Sequence, residues 1–209
     1  STNLVHQVFH LFTLHAATGI HVENVDLILE FGGGYGCLCR AAFQAGFTGQ
    51  YVIFDLPVFS AVQTFYLRSN GIAVRSLTEA SEDFLSGLSG VYTLGDVDLL
   101  GRLVQDHASR NGEGGSTLTR SENSVVFAMW SLCEAPLWAR EGIWRLRNIF
   151  NVWMLGCREE WQGVDNMQYV RSLALDLQAN STLIRLPDQI SAKDFYFVAS
   201  RPGRDLAAD

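Results

Sequence analysis

Apolar side chains at Leu4, Val5, Val8, Phe9, Leu11, Phe12 and Leu14 recur at three- and four-residue intervals, the period of a helix with one apolar stripe. This predicts a helix from Asn3 to about Gly19. Its histidines, His6, His10 and His15, read as partly exposed helix residues, because no carboxylate accompanies them to complete a metal stripe. From Val25 the pattern switches to short unbroken apolar runs. Residues 25–31 and 51–54 read as strands buried on both faces, and between them 37–45 reads as a helix closed by Gly46. Pro57 suits the first turn of a further helix, 58–69, which Asn70-Gly71 breaks.

Beyond it, residues 72–74 form a third short strand, 76–90 is a polar stretch crossing the top of the sheet, and 96–109 has helical character. Residues 110–123, rich in Gly, Ser, Thr and Asn, read as a long flexible loop. The alternation resumes with a strand at 124–130, a helix at 137–148, a strand at 150–155 and, after residues 159–166, a helix running to about Gln178. Two final strands, 181–186 and 194–200, follow one another with no helix between them, which predicts an antiparallel hairpin at one edge. Strands alternating with helices predict a parallel sheet with right-handed crossovers. The expected fold class is α/β: a Rossmann-like, doubly wound, seven-stranded sheet, mostly parallel with its last strand antiparallel. It comprises an N-terminal helical segment, 1–23, and one domain, 24–209.

Composition narrows the function. In 209 residues, 48% hydrophobic and 18% charged side chains allow a packed core and argue against disorder. Fifteen basic against twenty-two acidic residues leave a net charge of −7, which disfavours a general nucleic-acid binder. No apolar run approaches the roughly 18–20 residues that span a bilayer. Ser1-Thr2-Asn3 is not the basic opening of a signal peptide, and without a Met the chain reads as a piece of a longer one. Cys37, Cys39, Cys133 and Cys157 form no CxxC pair, and no histidine stands at finger-like spacing from them. They are expected to be reduced core residues of a cytoplasmic protein.

The candidate chemistry lies between the first strand and the next helix, at Glu30-Phe31-Gly32-Gly33-Gly34-Tyr35-Gly36. A glycine-rich turn there lets backbone N–H groups approach a ligand closely. The dinucleotide fingerprint fails at its sixth position, which is Cys37 counted from Gly32 or Cys39 counted from Gly34. No Walker lysine follows, so a nucleoside site of another kind is expected. Asp55 ends the next strand, and a carboxylate there can accept both hydroxyls of a ribose.

This loop, with Phe54-Asp55-Leu56-Pro57, resembles motif I and the following acidic strand end of class I S-adenosylmethionine-dependent methyltransferases. Three segments in order, the loop with Asp55-Leu56-Pro57, then Trp130-Ser131-Leu132-Cys133-Glu134-Ala135-Pro136, then Gly163-Val164-Asp165-Asn166, resemble the sugar O-methyltransferase family more narrowly. Cys133 and Ala135 depart from the small polar residue and the methionine of that pattern. The resemblance implies S-adenosylmethionine as cofactor, held by Glu30, Gly32, Gly33, Gly34, Gly36, Asp55 and Leu56. It implies Ser131, Glu134, Asp165 and Asn166 as acceptor-site residues, with a sugar or other small molecule as partner rather than nucleic acid or membrane.

A sugar hydroxyl becomes a good nucleophile only as its proton leaves, so a base is wanted. Glu134 is the candidate base or hydroxyl anchor, Ser131 its hydrogen-bond partner, and Asp165 and Asn166 would orient the sugar. Glu134 and Asp165 also precede helices, where an acid stabilises the helix start without any catalytic role. An acid after the fourth strand and an Asp-Asn pair after the fifth are similar to the magnesium site of catechol-type O-methyltransferases, which keeps Mg2+ as a minority expectation. Alternatives are methylation of a non-sugar small molecule or of nitrogen, and a degenerate methyltransferase-fold module serving structure or interaction.

Overall fold

A computed structural model describes residues 2–96, 98–103, 123–147, 149–186, 193–201 and 206. In chain order the elements are α1 (Thr2–Thr18), β1 (Leu27–Phe31), α2 (Cys37–Gln44), β2 (Gln50–Phe54), α3 (Pro57–Ser69), β3 (Val74–Ser76), α4 (Ser81–Leu85) and β4 (Gly90–Leu94). After a helical stretch at 98–103 come β5 (Ser124–Met129), α5 (Leu137–Trp144), β6 (Val152–Arg158), the two-residue strands β7 (Glu160–Trp161) and β8 (Val164–Asp165), α6 (Asn166–Leu177), β9 (Asn180–Arg185) and β10 (Asp194–Ser200). The expected loop at 110–123 falls almost wholly outside the described residues.

The main sheet has the order β3-β4-β2-β1-β5-β6-β10-β9. Its first six strands pair in parallel, and β10 runs antiparallel to both β6 and β9. The expected α/β architecture and terminal hairpin are present, but among the described residues the sheet has eight strands instead of seven. The additional strand is β4, which the polar stretch before it hides. It inserts between β2 and β3 in register Gln50↔Gly90 to Phe54↔Leu94 and moves β3 to the edge. All five residues of β1 are buried, as a central parallel strand covered on both faces requires. One face is covered by α1, α2 and α3 through Leu14, Leu38 and Leu67, the other by α4, α5 and α6 through Phe84, Ile143 and Val170.

The N-terminal helix buries a face offset from its most apolar residues. Leu11, Leu14 and Ala17 are buried with His10 and Thr13, whereas Val5, Val8, Phe9 and Phe12 are exposed. His10 therefore departs from the expected partial exposure. Its Nδ1 lies 2.8 Å from the Tyr196 hydroxyl, its ring packs on Trp130, and burial with the nearby His6 lowers its pKa to about 4. The cysteine expectation is corrected as well. Cys37 and Cys39 are free and buried, but Cys133 and Cys157 form a disulfide, because β5 and β6 are neighbours that bring the turn after one beside the end of the other. Among the described residues no helix is long and apolar enough to cross a membrane.

Candidate active site

The parallel register of β1 and β2 ends both strands at one edge, where the Gly32 N–H donates to Phe54 O at 2.8 Å. The chain then turns back under itself. Gly32 has φ +73°, and a Cβ on it would stand 2.5 Å from that of Ser131. At Gly33 a Cβ would meet the Ile53 side chain at 2.6 Å and the Glu30 carboxyl at 3.1 Å. Only glycine fits either position.

Asp55 closes the loop from the side. Its Oδ2 accepts from the Gly34 N–H at 3.0 Å and from Gln63 Nε2 at 3.1 Å, and its Oδ1 accepts from the Leu56 N–H at 2.8 Å. Burial raises its pKa, and these three donors oppose the rise. A carboxylate offers about four lone-pair sites, so one remains for a ligand, fewer than the two ribose hydroxyls expected of it. Gln63 was not legible in the sequence as a site residue. It is fully buried on α3, and its Nε2 also donates to Gly34 O at 2.9 Å, so one amide grips both the loop and the acid.

Glu30 lies beneath the loop, not on its surface. It is buried, accepts the Tyr51 hydroxyl at 2.9 Å, and has its pKa raised to about 7 by burial, the Tyr51 bond opposing and the charge of Asp55 adding. It supports the glycines from below; Gly32, Asp55 and Leu56 face the ligand side.

That side is a cleft of about 780 Å³. Phe31, Gly32, Phe54, Asp55 and the exposed Leu56 form one wall, Gly95, Asp96 and Asp98 the end beyond β4, and Ser131, Ala135, Pro136 and Trp138 the wall beyond β5. The Ser131 hydroxyl donates to Phe31 O at 2.5 Å and so joins the two walls. Asp96 is a second cleft residue that sequence reasoning missed. Its signal is the Gly-Asp pair directly after Val91-Tyr92-Thr93-Leu94, visible only once that run is read as a strand. A hydrogen bond and ion pair from Arg102 at 2.9 Å hold its carboxyl below the usual range.

The expected acceptor residues do not converge. Glu134 sits on the turn after β5 but is absent from the wall formed by Ser131, Ala135 and Pro136. Burial raises its pKa, with Arg158 opposing and Asp194 adding, so its charged neighbours lie at the ends of β6 and β10. There a second, polar cleft of about 930 Å³ is lined by Arg158, Glu159, Glu160, Gly163, Asp165, Met167 and Lys193. Asp165 faces it while capping α6 through the Gln168 N–H at 2.9 Å. The β7–β8 hairpin that shapes this cleft was also unread. Its turn, Gln162-Gly163, has both residues at positive φ, the geometry that suits a two-residue hairpin loop.

Asn166 is fully buried, away from either cleft. Its Oδ1 accepts from Arg140 at 2.9 Å and its Nδ2 donates to Arg158 O at 2.9 Å. The Asn166 oxygen is buried and turned to a guanidinium, away from Asp165, and among the described residues no group of three His, Cys, Asp or Glu is placed to hold a metal. The donor set expected for Mg2+ does not fit.

No family model matches the chain, and no sequence among the curated proteins matches it. Its fold, by contrast, is widely shared. The methyltransferase domain of bacterial CtHen1-C superposes with a TM-score of 0.58 at 8% identity, covering 96% of this chain and 99% of that one. An rRNA methylase from Streptococcus thermophilus gives 0.56 at 11%, covering 93% and 94%. An O-methyltransferase family protein from Burkholderia thailandensis gives 0.53 at 13%, covering 87% of this chain and 53% of that one. The fold is that of the Rossmann-like methyltransferases. Proteins sharing it include one named as an rRNA methylase and one named as an O-methyltransferase, so the acceptor is a question for the site itself.

Proposed function

We propose that the chain is an S-adenosylmethionine-dependent O-methyltransferase acting on a hydroxyl of a sugar or sugar-containing small molecule. The observation that carries this reading is the cleft at the shared edge of β1, β2, β4 and β5. Gly32 of the glycine loop, where no side chain fits, lines it, and Asp55 and Asp96 stand just past the ends of two adjacent strands. When bound, S-adenosylmethionine supplies a methyl group on a positively charged sulfur. The residues present suit such a cation: four acids, Asp55, Asp96, Asp98 and Glu141, line the cleft, and although Arg102 pairs with Asp96 and Arg145 with Asp98, the acids outnumber these two cations. Gly32, Gly33, Gly34, Gly36, Asp55 and Leu56 would hold the cofactor, with Glu30 supporting the loop from beneath.

On the acceptor side, Glu134 would take the hydroxyl proton. Burial raises its pKa above the ordinary carboxylate value, and a stronger base takes a hydroxyl proton more readily. Ser131 orients the turn by its bond to Phe31 O, and Asp165 borders the polar cleft in which a polyhydroxylated acceptor would be held. The formal charge of −7 favours a small-molecule acceptor over nucleic acid. A cytoplasmic location was expected from four reduced cysteines, and the Cys133–Cys157 disulfide removes half of that argument.

Calorimetric titration with S-adenosylhomocysteine, with NAD as control, tests the reading. Micromolar binding of the former alone supports it and leads to a sugar-acceptor screen with and without magnesium. No binding by the folded protein overturns it in favour of a degenerate module.

A further inference from the structure

Arg140 lies on α5, outside every segment that carries the candidate chemistry, yet it is only 2% exposed. Its Nε donates to Ala135 O at 2.9 Å and its Nη2 to Cys133 O at 2.6 Å, so one guanidinium holds two carbonyls of the turn after β5. Its Nη1 donates to Asn166 Oδ1, and Asn166 in turn donates to Arg158 O at the end of β6. The guanidinium carbon stands 4.7 Å from the centre of the Tyr169 ring on α6. Among the described residues no carboxylate forms an ion pair with it. A buried cation held only by neutral acceptors is costly, and an apolar chain of similar length would fill the space without that desolvation. What such a chain lacks is the planar fork, which fixes several acceptors at set angles.

We propose that Arg140 is a positioning residue: it locks the turn bearing Ser131 and Glu134 against the end of β6 bearing Arg158, and so sets the geometry between Glu134 and its charged neighbours. The inference rests on the reading of Glu134 as the acceptor-side base. The Cys133–Cys157 disulfide ties the same two segments covalently, so loss of Arg140 loosens the turn without detaching it.

The test follows the Glu134 carboxyl by NMR titration in the wild type, Arg140→Met, the milder Arg140→Lys, and Tyr169→Phe as a control that keeps the ring. The expected result is a displacement of the Glu134 midpoint by about half a pH unit or more in Arg140→Met, a smaller one in Arg140→Lys, and none in Tyr169→Phe. An unchanged midpoint in a folded Arg140→Lys or Arg140→Met protein, with only the melting temperature lowered, overturns the proposal and leaves Arg140 a scaffold residue. Binding of S-adenosylhomocysteine to the wild type, measured alongside, reports on the methyltransferase reading separately.

Discussion

The Gly34 N–H donates to Asp55 Oδ2 at 3.0 Å, so the carboxylate at the end of β2 and the loop after β1 form one unit before any ligand arrives. Gln63 reinforces it by donating to Gly34 O and to the same Oδ2. The loop is thereby shaped in advance, which lowers the ordering cost of binding.

Asp55→Ala removes both the loop clamp and the remaining ligand-facing lone pair. Losing a hydrogen bond to a charged group costs about 1.5–3 kcal/mol, so the dissociation constant for S-adenosylhomocysteine is expected to rise roughly ten- to a hundredfold. Calorimetry checks this, and an unchanged affinity sinks the ribose assignment.

Glu30 gives the fold a pH dependence of definite sign. Its folded pKa, about 7, stands above the ordinary value of 4.5, so between these limits the folded state keeps a proton that the unfolded chain releases. Its stabilising contribution is whole below about 4.5 and is lost as pH rises through 7, with a slope approaching about 1.4 kcal/mol per pH unit. The difference in urea-unfolding free energy between wild type and Glu30→Gln should fall across that window. A flat difference would remove the buried proton from the account.

Glu134→Gln should lower turnover by about two orders of magnitude or more, the contribution typical of a general base, and leave S-adenosylhomocysteine affinity within about twofold. Wild-type activity should rise with pH to a plateau above the raised pKa of Glu134. Full activity in the variant, assayed with the acceptor found by screening, would take Glu134 out of the base role.

One polar anchor of α1 on the sheet is the buried contact between His10 and Tyr196. Tyr196→Phe strands the His10 nitrogen without its partner, and an unpaired buried polar atom costs about 1–3 kcal/mol. Urea unfolding should show that loss. A stability equal to wild type would mean that His10 finds another partner.

Much of this protein was determined by local sequence. Helices α1 to α3 and the core strands follow from periodicity, because a helix or strand needs only its own neighbours to place one face inward. The glycine loop and Asp55 were legible for the same reason: a turn too tight for side chains and a strand-end acid are local facts. Tertiary pairing decided the rest. Strand β4 follows the polar stretch 76–90 and goes unread until its pairing with β2 defines it, and Asp96 stands at the cleft through that pairing. Gln63, His10 and Arg140 owe their roles to partners distant in the chain, at Gly34, Tyr196 and Asn166. Cys133 and Cys157 meet because β5 lies beside β6. Asn166, grouped with Asp165 by sequence, turns inward while Asp165 faces the polar cleft, since consecutive residues at a helix start point in different directions and only the packed neighbours decide which is buried.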